Sequence, residues 1–240
     1  EVVLAEPYIM GSHSGEAGAW VSGPEDIATG EYFWGYNRMT TINGLFAAGD
    51  GVGAAPHKFS SGSFTEGRIA AKSAINFLAD NPDASNVSDA DVKSIQEAIW
   101  APLETFEKHK GASSSEEINP NYMTPKQALV RLQKIMDEYG AGASVGYTTN
   151  DPTLERGIEL IEMFREDLAH LAARNRHELM RCWEVVHRTW VGEAHLRHLL
   201  HRKETRWPGY YYRSDYPDLD DANWRVFVNS KFDAANNTWE

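Results

Sequence analysis

Hydrophobic and polar positions divide the chain into stretches of different period. Residues 1–23 alternate short apolar groups with Gly and Ser, a pattern of one or two strands joined by tight turns. Leu45-Phe46-Ala47-Ala48 is a short apolar run suited to a buried strand, and it stops at Gly49-Asp50-Gly51. Ser60-Ser61-Gly62-Ser63 supply hydroxyl N-caps for a helix whose apolar face includes Ile69, Ala70, Ala74 and Phe77. The unit therefore reads as strand, glycine-rich loop, helix N-terminus. Between the first stretch and this unit, Tyr32, Phe33, Trp34 and Tyr36 lie among Pro24, Gly30 and Gly35, a packed loop whose rings either form loop core or stack a base.

From Ser88 the period becomes helical. Val92, Ile95, Ile99, Leu103 and Phe106 recur at helical spacing, with Pro102 expected to kink or restart the helix. Thr124-Pro125 opens a second helix with Ala128, Leu132 and Ile135 on one face, and Asp151-Pro152 caps a third carrying Leu154, Ile158, Ile161 and Phe164. A fourth follows Asn175 to about Lys203, so 88–203 reads as an antiparallel bundle. After Thr205 the chain is rich in aromatics and turn formers, and Trp224-Arg225-Val226-Phe227-Val228 is expected to be a final strand.

Composition narrows the function. A formal net charge of −12 argues against a general nucleic-acid or anionic-membrane binder, although a local basic pocket still suits an anionic substrate. One cysteine, Cys182, excludes an internal disulfide and any protein-only Cys cluster, and fits a reducing compartment. No apolar run approaches the roughly 20 residues that span a bilayer, so the expected location is cytoplasmic. No GxGxxG fingerprint follows a strand, and the chain opens at Glu1-Val2-Val3 without Met. Both features suggest a carboxyl-terminal fragment of a longer subunit.

Several residues carry candidate chemistry. A helix start gathers backbone N–H groups and partial positive charge, which suits an anion or an electron-rich carbonyl. Asp50, at the end of the apolar run, is placed to accept hydrogen bonds from sugar-like hydroxyls, and His57 is the group of this loop that titrates near neutral pH. His195, His198 and His201 share a helix but converge poorly: positions six apart lie roughly 120° apart around it. No metal site is assigned to them, and Cys182 is read as core.

The run GLFAAGD is similar to the second FAD-contacting segment of the fumarate reductase and succinate dehydrogenase flavoprotein superfamily. Within it, MTTINGLFAAGDGVGAAPHKFSSGSFTEGRIA resembles the alpha subunits of dissimilatory adenylylsulfate reductase, with HKFSSGS followed by EGR the most specific part. Gly11-Ser12-His13-Ser14-Gly15 resembles the return from the capping domain. The span Arg202–Trp224 resembles the superfamily's carboxyl-terminal signature, an Arg-x-Glu-x-Arg run followed by Arg-x-Asp-Tyr-Pro and Asp-Asp-x-x-Trp.

The resemblance implies the carboxyl-terminal part of an α/β, Rossmann-like FAD-binding domain over 1–80, a mainly α-helical bundle domain over 81–204, and an irregular tail with a short strand over 205–240. It implies FAD contacts at Gly49, Asp50, Ser60, Ser61, Gly62, Ser63 and Phe64, substrate contacts at His13 and Phe59, and a catalytic role for His57 beside the sulfate. His13 otherwise reads as a surface-turn histidine, and the serines as ordinary caps. The family reaction is attack by reduced flavin N5 on the sulfate sulfur of adenylylsulfate, giving a flavin–sulfite adduct and AMP. Its partner is an iron–sulfur beta subunit with two [4Fe–4S] clusters. Dicarboxylate-oxidising relatives place an arginine in this loop to hold a carboxylate bidentately, whereas His57-Lys58-Phe59-Ser60-Ser61 has none. The alternatives are another fumarate-reductase-like flavoprotein, or a docking fragment inert in isolation.

Overall fold

The computed structural model describes residues 18–53, 59–83, 87–206 and 211–240, and of Phe59 the backbone alone. The chain divides into two units, Glu1–Asn86 and Val87–Glu240.

In the first unit, three isolated bridges tie the loops together: Ala19 with Val52, Val21 with Thr40, and Met39 with Phe46. A single long helix, α1 (Phe59–Asp80), follows. Among the described residues this unit contains bridges and no extended sheet, so the expected buried strand at Leu45–Ala48 is reduced to the one bridge at Phe46. Leu45 is 51% exposed. A strand persists where neighbours complete its ladder, and here Thr40 and Arg38 exchange only two backbone bonds with the run, Thr40 N–H to Leu45 O (2.8 Å) and Ala47 N–H to Arg38 O (3.1 Å). The aromatic loop is packed in part: Trp20 and Trp34 meet edge to face at 5.6 Å and Tyr36 meets Phe77 of α1 at 5.2 Å, while Tyr32 is exposed.

The second unit is a helical bundle. It contains α2 (Asp89–His109), α3 (Pro125–Tyr139), α4 (Asp151–Asp167) and α5 (Arg176–His201). Local chemistry sets the starts. Thr124 and Gln127 form a reciprocal capping box, with Pro125 in the first turn. Asn175 accepts from His177 N and Glu178 N to begin α5. The expected cap of α4 shifts by one residue: Asn150 receives Thr153 N–H at 3.0 Å, while the Asp151 carboxylate is taken by Lys203 and Arg213. Helix α2 passes through Pro102 without interruption, and the Pro102 carbonyl accepts the Ala173 N–H at 2.9 Å.

The core contains the predicted stripes, with Ala128, Leu132, Ile135, Leu154, Ile158, Ile161 and Phe164 all buried, and α5 adds Val185 and Leu196, which the sequence reading did not name. Gly157 permits the close approach of α3 to α4, since a Cβ there would stand 2.7 Å from Tyr139 Cβ.

The tail packs on this bundle through short elements. Strand β1 (Thr148–Thr149) pairs in parallel with β2 (Tyr212–Arg213), and β3 (Phe232–Asp233) pairs antiparallel with β4 (Thr238–Trp239). The expected strand over 224–228 is absent: Asp221–Trp224 is a short helix, α6, capped by Asp220. The Arg202 guanidinium takes the carbonyls of Trp224 (2.6 Å) and Val226 (2.8 Å), leaving that segment no ladder partner. Among the described residues, no helix is long and apolar enough to cross a membrane.

Candidate functional site

The candidate site is built where the Gly49–Gly51 turn meets the start of α1. Gly49 is buried with φ +61°, a left-handed conformation that a Cβ would strain. A side chain there would also stand 3.3 Å from Ser63 Oγ, so turn and helix touch directly. The turn is held from behind: Ala19 N–H donates to Gly51 O at 2.8 Å, and Gly53 N–H donates to Ala19 O at 3.0 Å. Gly18 makes that approach possible, because a Cβ on it would lie 2.6 Å from the Val52 carbonyl carbon. Asp50, in the middle of the turn, is exposed.

Helix α1 begins one residue earlier than the serine caps require. Because Phe59 is already helical, Ser60, Ser61, Gly62 and Ser63 lie inside the first turns and are not N-caps. The first N–H groups of a helix find no carbonyl within it, so free donors gather at the start of α1, while the N–H groups of Ser63 and Phe64 fall within reach of carbonyls one turn back. Ser60, Ser61 and Ser63 are exposed, Gly62 is buried, and Phe64 is 76% exposed. The structure thus brings Gly49 and Ser63 together. His13 and His57 lie outside the described residues, as does the Phe59 side chain.

These groups suit a flavin dinucleotide on chemical grounds. The Asp50 carboxylate only accepts hydrogen bonds, which matches sugar or ribityl hydroxyls, and the start of α1 presents donors and positive dipole to an electron-rich carbonyl edge.

Two residues near this turn escape the sequence reading. Arg38 and Glu66 form a two-pronged ion pair, Nε with Oε2 and Nη2 with Oε1 at 2.9 Å. Side-chain exposures of 17% and 8% make it a largely buried pair. The signal available was the Glu of the EGR run, which marks a motif without naming its partner 28 residues upstream.

The signature over Arg202–Trp224 forms a buried polar network in the second unit. Glu204 is fully buried and receives Arg206 (2.6 and 3.0 Å), Arg202 (2.8 Å) and the Asp220 N–H (3.0 Å). Its desolvation pushes the carboxyl upward, but hydrogen bonds from Arg206, the Asp220 N–H and Arg202 leave it below the usual carboxylate range. Arg213, also fully buried, pairs with Asp151 and Asp215 and donates to the Arg202 carbonyl at 2.9 Å. These signature residues therefore saturate one another and fasten the tail. The histidines of α5 diverge: His198 bonds Ser230 Oγ at 2.8 Å, and the His201 ring stands edge-on to Trp224 at 5.4 Å.

A groove of about 570 Å³ between α3 and α5 contains none of the predicted site residues. Its arginines are neutralised locally, Arg174 by Glu117 and Glu178, Arg181 and Arg188 by Glu184. It is a paired-charge surface.

Residues 130–239 match the family described as fumarate reductase flavoprotein C-term. The curated alpha subunit of adenylylsulfate reductase from Megalodesulfovibrio gigas is 45% identical over 98% of this chain and 36% of its own length. The solved adenylylsulfate reductase of Archaeoglobus fulgidus is 57% identical, with a TM-score of 0.90 over 98% of this chain and 37% of that one. A structure described as adenosine-5-phosphosulfate reductase in complex with sulfite, a covalent adduct, matches with the same identity, TM-score and coverage. The chain thus spans little more than a third of these relatives.

Proposed function

We propose, from the premise that this chain is homologous along nearly its whole length to adenylylsulfate reductase alpha subunits, that it forms part of a flavoprotein oxidoreductase interconverting adenylylsulfate with sulfite and AMP by two electrons. The observation that carries the reading is the 57% identity, over 98% of this chain, to an adenosine-5-phosphosulfate reductase described with sulfite as a covalent adduct. The geometry supports it through the Gly49–Gly51 turn packed on the first turns of α1.

In this reading the first unit is the later part of a Rossmann-like FAD-binding domain. Asp50 holds hydroxyls of FAD, and the N–H groups at the very start of α1, with the serine hydroxyls of the 60–63 run, face its pyrimidine edge. FAD, when bound, supplies the two-electron chemistry at the sulfate sulfur. His57 neutralises a sulfate oxygen or gives a proton to the departing phosphate of AMP, and His13 and Phe59 contact substrate. Positive partial charge from α1 stabilises negative charge that develops near its first turn. Electrons arrive from an iron–sulfur beta subunit carrying two [4Fe–4S] clusters. That need accords with the single Cys182, since cluster ligation uses several cysteine thiolates. A lone, unbridged, buried cysteine also accords with a cytoplasmic location.

The test is sulfite addition to the complete flavoprotein containing this chain, followed by absorbance. Bleaching of the oxidised-flavin band at about 450 nm is the expected result, followed, on addition of AMP with ferricyanide as electron acceptor, by adenylylsulfate formation and return of the band as the acceptor takes the two electrons left on the flavin. Bleaching indifferent to AMP removes the substrate assignment, and a colourless protein removes the flavin.

A further inference from the structure

Arg38 is the point where three segments of the first unit meet. Its N–H donates to Ser22 O at 2.9 Å, its carbonyl accepts the Ala47 N–H at 3.1 Å, and its guanidinium grips Glu66 on α1. It does so from a left-handed conformation, φ +69°, which costs a non-glycine residue energy and persists only where surroundings enforce it. A further bond from Nη1 to Asn37 Oδ1 at 2.8 Å fixes the planar fork. Ala47 lies two residues before Gly49, and Glu66 lies one turn beyond Gly62 on α1. The glycine turn and the helix start are therefore clamped at two places, by contact between Gly49 and Ser63 and by charge between Arg38 and Glu66.

We infer that Arg38 and Glu66 are positioning residues that set the electronic properties of the bound flavin by holding the start of α1 at a fixed distance from the Gly49 turn. This rests on the flavoprotein reading above. Donors aimed at developing charge stabilise it only when preorganised, and a site loosened by less than an ångström loses much of that effect. The bidentate fork and the burial of Glu66 supply such rigidity, whereas a lysine at 38 keeps the charge and lacks the planar fork.

The experiment compares Glu66→Gln, Arg38→Gln and Arg38→Lys in the complete flavoprotein with its partner subunit. It reads flavin content, flavin midpoint potential by spectroscopic titration, and sulfite affinity from bleaching. A clamp predicts that all three variants retain flavin and shift the potential in the same, negative direction. Sulfite binding then weakens by about tenfold or more, with kcat falling more than KM rises. Direct action of the two charges on the flavin predicts opposite shifts for Glu66→Gln and Arg38→Gln, because one leaves a cation and the other an anion, and that result overturns the inference. Unchanged potentials at full flavin occupancy overturn it as well. So does loss of flavin from all three variants, which reduces the pair to a structural strut. Absence of flavin from the unsubstituted protein fails the functional reading itself and is recognised before any variant is made.

Discussion

The indole N–H of Trp239 donates to Glu193 Oε1 at 2.7 Å, joining the last strand of the tail to the interior of α5. Glu193 is fully buried and also receives Arg165 (2.9 Å) from α4 and Arg197 (3.0 Å) from α5. Arg165 in turn lies 3.8 Å over the Trp190 ring. The tail is thus fastened by one carboxylate shared among three donors.

Removing that carboxylate leaves two guanidinium groups in a poorly solvated place. Glu193→Ala is expected to destabilise the protein by about 3 kcal/mol or more, measured from urea midpoints at constant slope. Trp239→Phe keeps a ring and loses only a charged hydrogen bond, so its cost is expected at about 1.5–3 kcal/mol. Equal, negligible effects of both would mean that the tail is held by its aromatic contacts alone.

Glu204 gives a pH signature. Its folded-state carboxyl lies below the ordinary value, so the stabilisation it provides is fully present above the unfolded-state pKa of about 4.3 and is lost as pH falls through the lower folded value. Glu204→Gln is therefore expected to be less stable than the parent at neutral pH, and the two curves should approach each other on the acid side. A constant gap between pH 7 and the acid limit of the native state would separate the network from this carboxylate's ionisation.

Cys182 is buried on α5, its Sγ 3.7 Å from the Ala172 carbonyl, and burial pushes its thiol up to about 12. The thiolate is the reactive form. A chromogenic thiol reagent near neutral pH should leave the native chain unlabelled and react with one equivalent after denaturation. Rapid labelling of the folded protein would place α5 in frequent opening.

His57→Ala in the complete enzyme is expected to reduce turnover by about 10²-fold or more, the usual scale of a lost acid or electrostatic partner, while flavin content stays at the parent level. Near-parental turnover would remove His57 from the chemistry.

Sequence reasoning succeeded where the determining interactions are local. Thr124 as N-cap and Pro125 in the first turn are local signals, so α3 could be placed from the sequence, and the stripe Ala128, Leu132, Ile135 is buried as its spacing demands; the reciprocal bond with Gln127 came only with the structure. It failed where a distant partner decides. Leu45–Ala48 has strand composition but too few ladder neighbours, and in 224–228 the Trp224 and Val226 carbonyls are taken by Arg202, more than twenty residues away. Ser60 to Ser63 resemble caps, yet the helix is already under way at Phe59. Arg38 gives no advance sign of positive φ, which is uncommon for arginine, and its ion pair spans 28 residues. In the candidate site, the Gly49 turn and the start of α1 were legible as glycine and serine, while the charge clamp behind them was not.

Gly49 tests that turn directly. Its φ of +61° makes alanine costly by about 1–2 kcal/mol, and the new methyl carbon meets Ser63 Oγ at 3.3 Å, so relief requires the side chain or the helix start to give way. If α1 moves, Gly49→Ala should lower both flavin retention and sulfite-dependent bleaching in the complete protein. Ser63→Ala, combined with it, removes the oxygen and should restore part of the binding without altering the backbone strain. Recovery in the double variant assigns the loss to crowding between turn and helix, and its absence assigns the loss to strain within the turn. Full flavin content in Gly49→Ala would detach the turn from cofactor binding and leave the α1 start as the remaining contact.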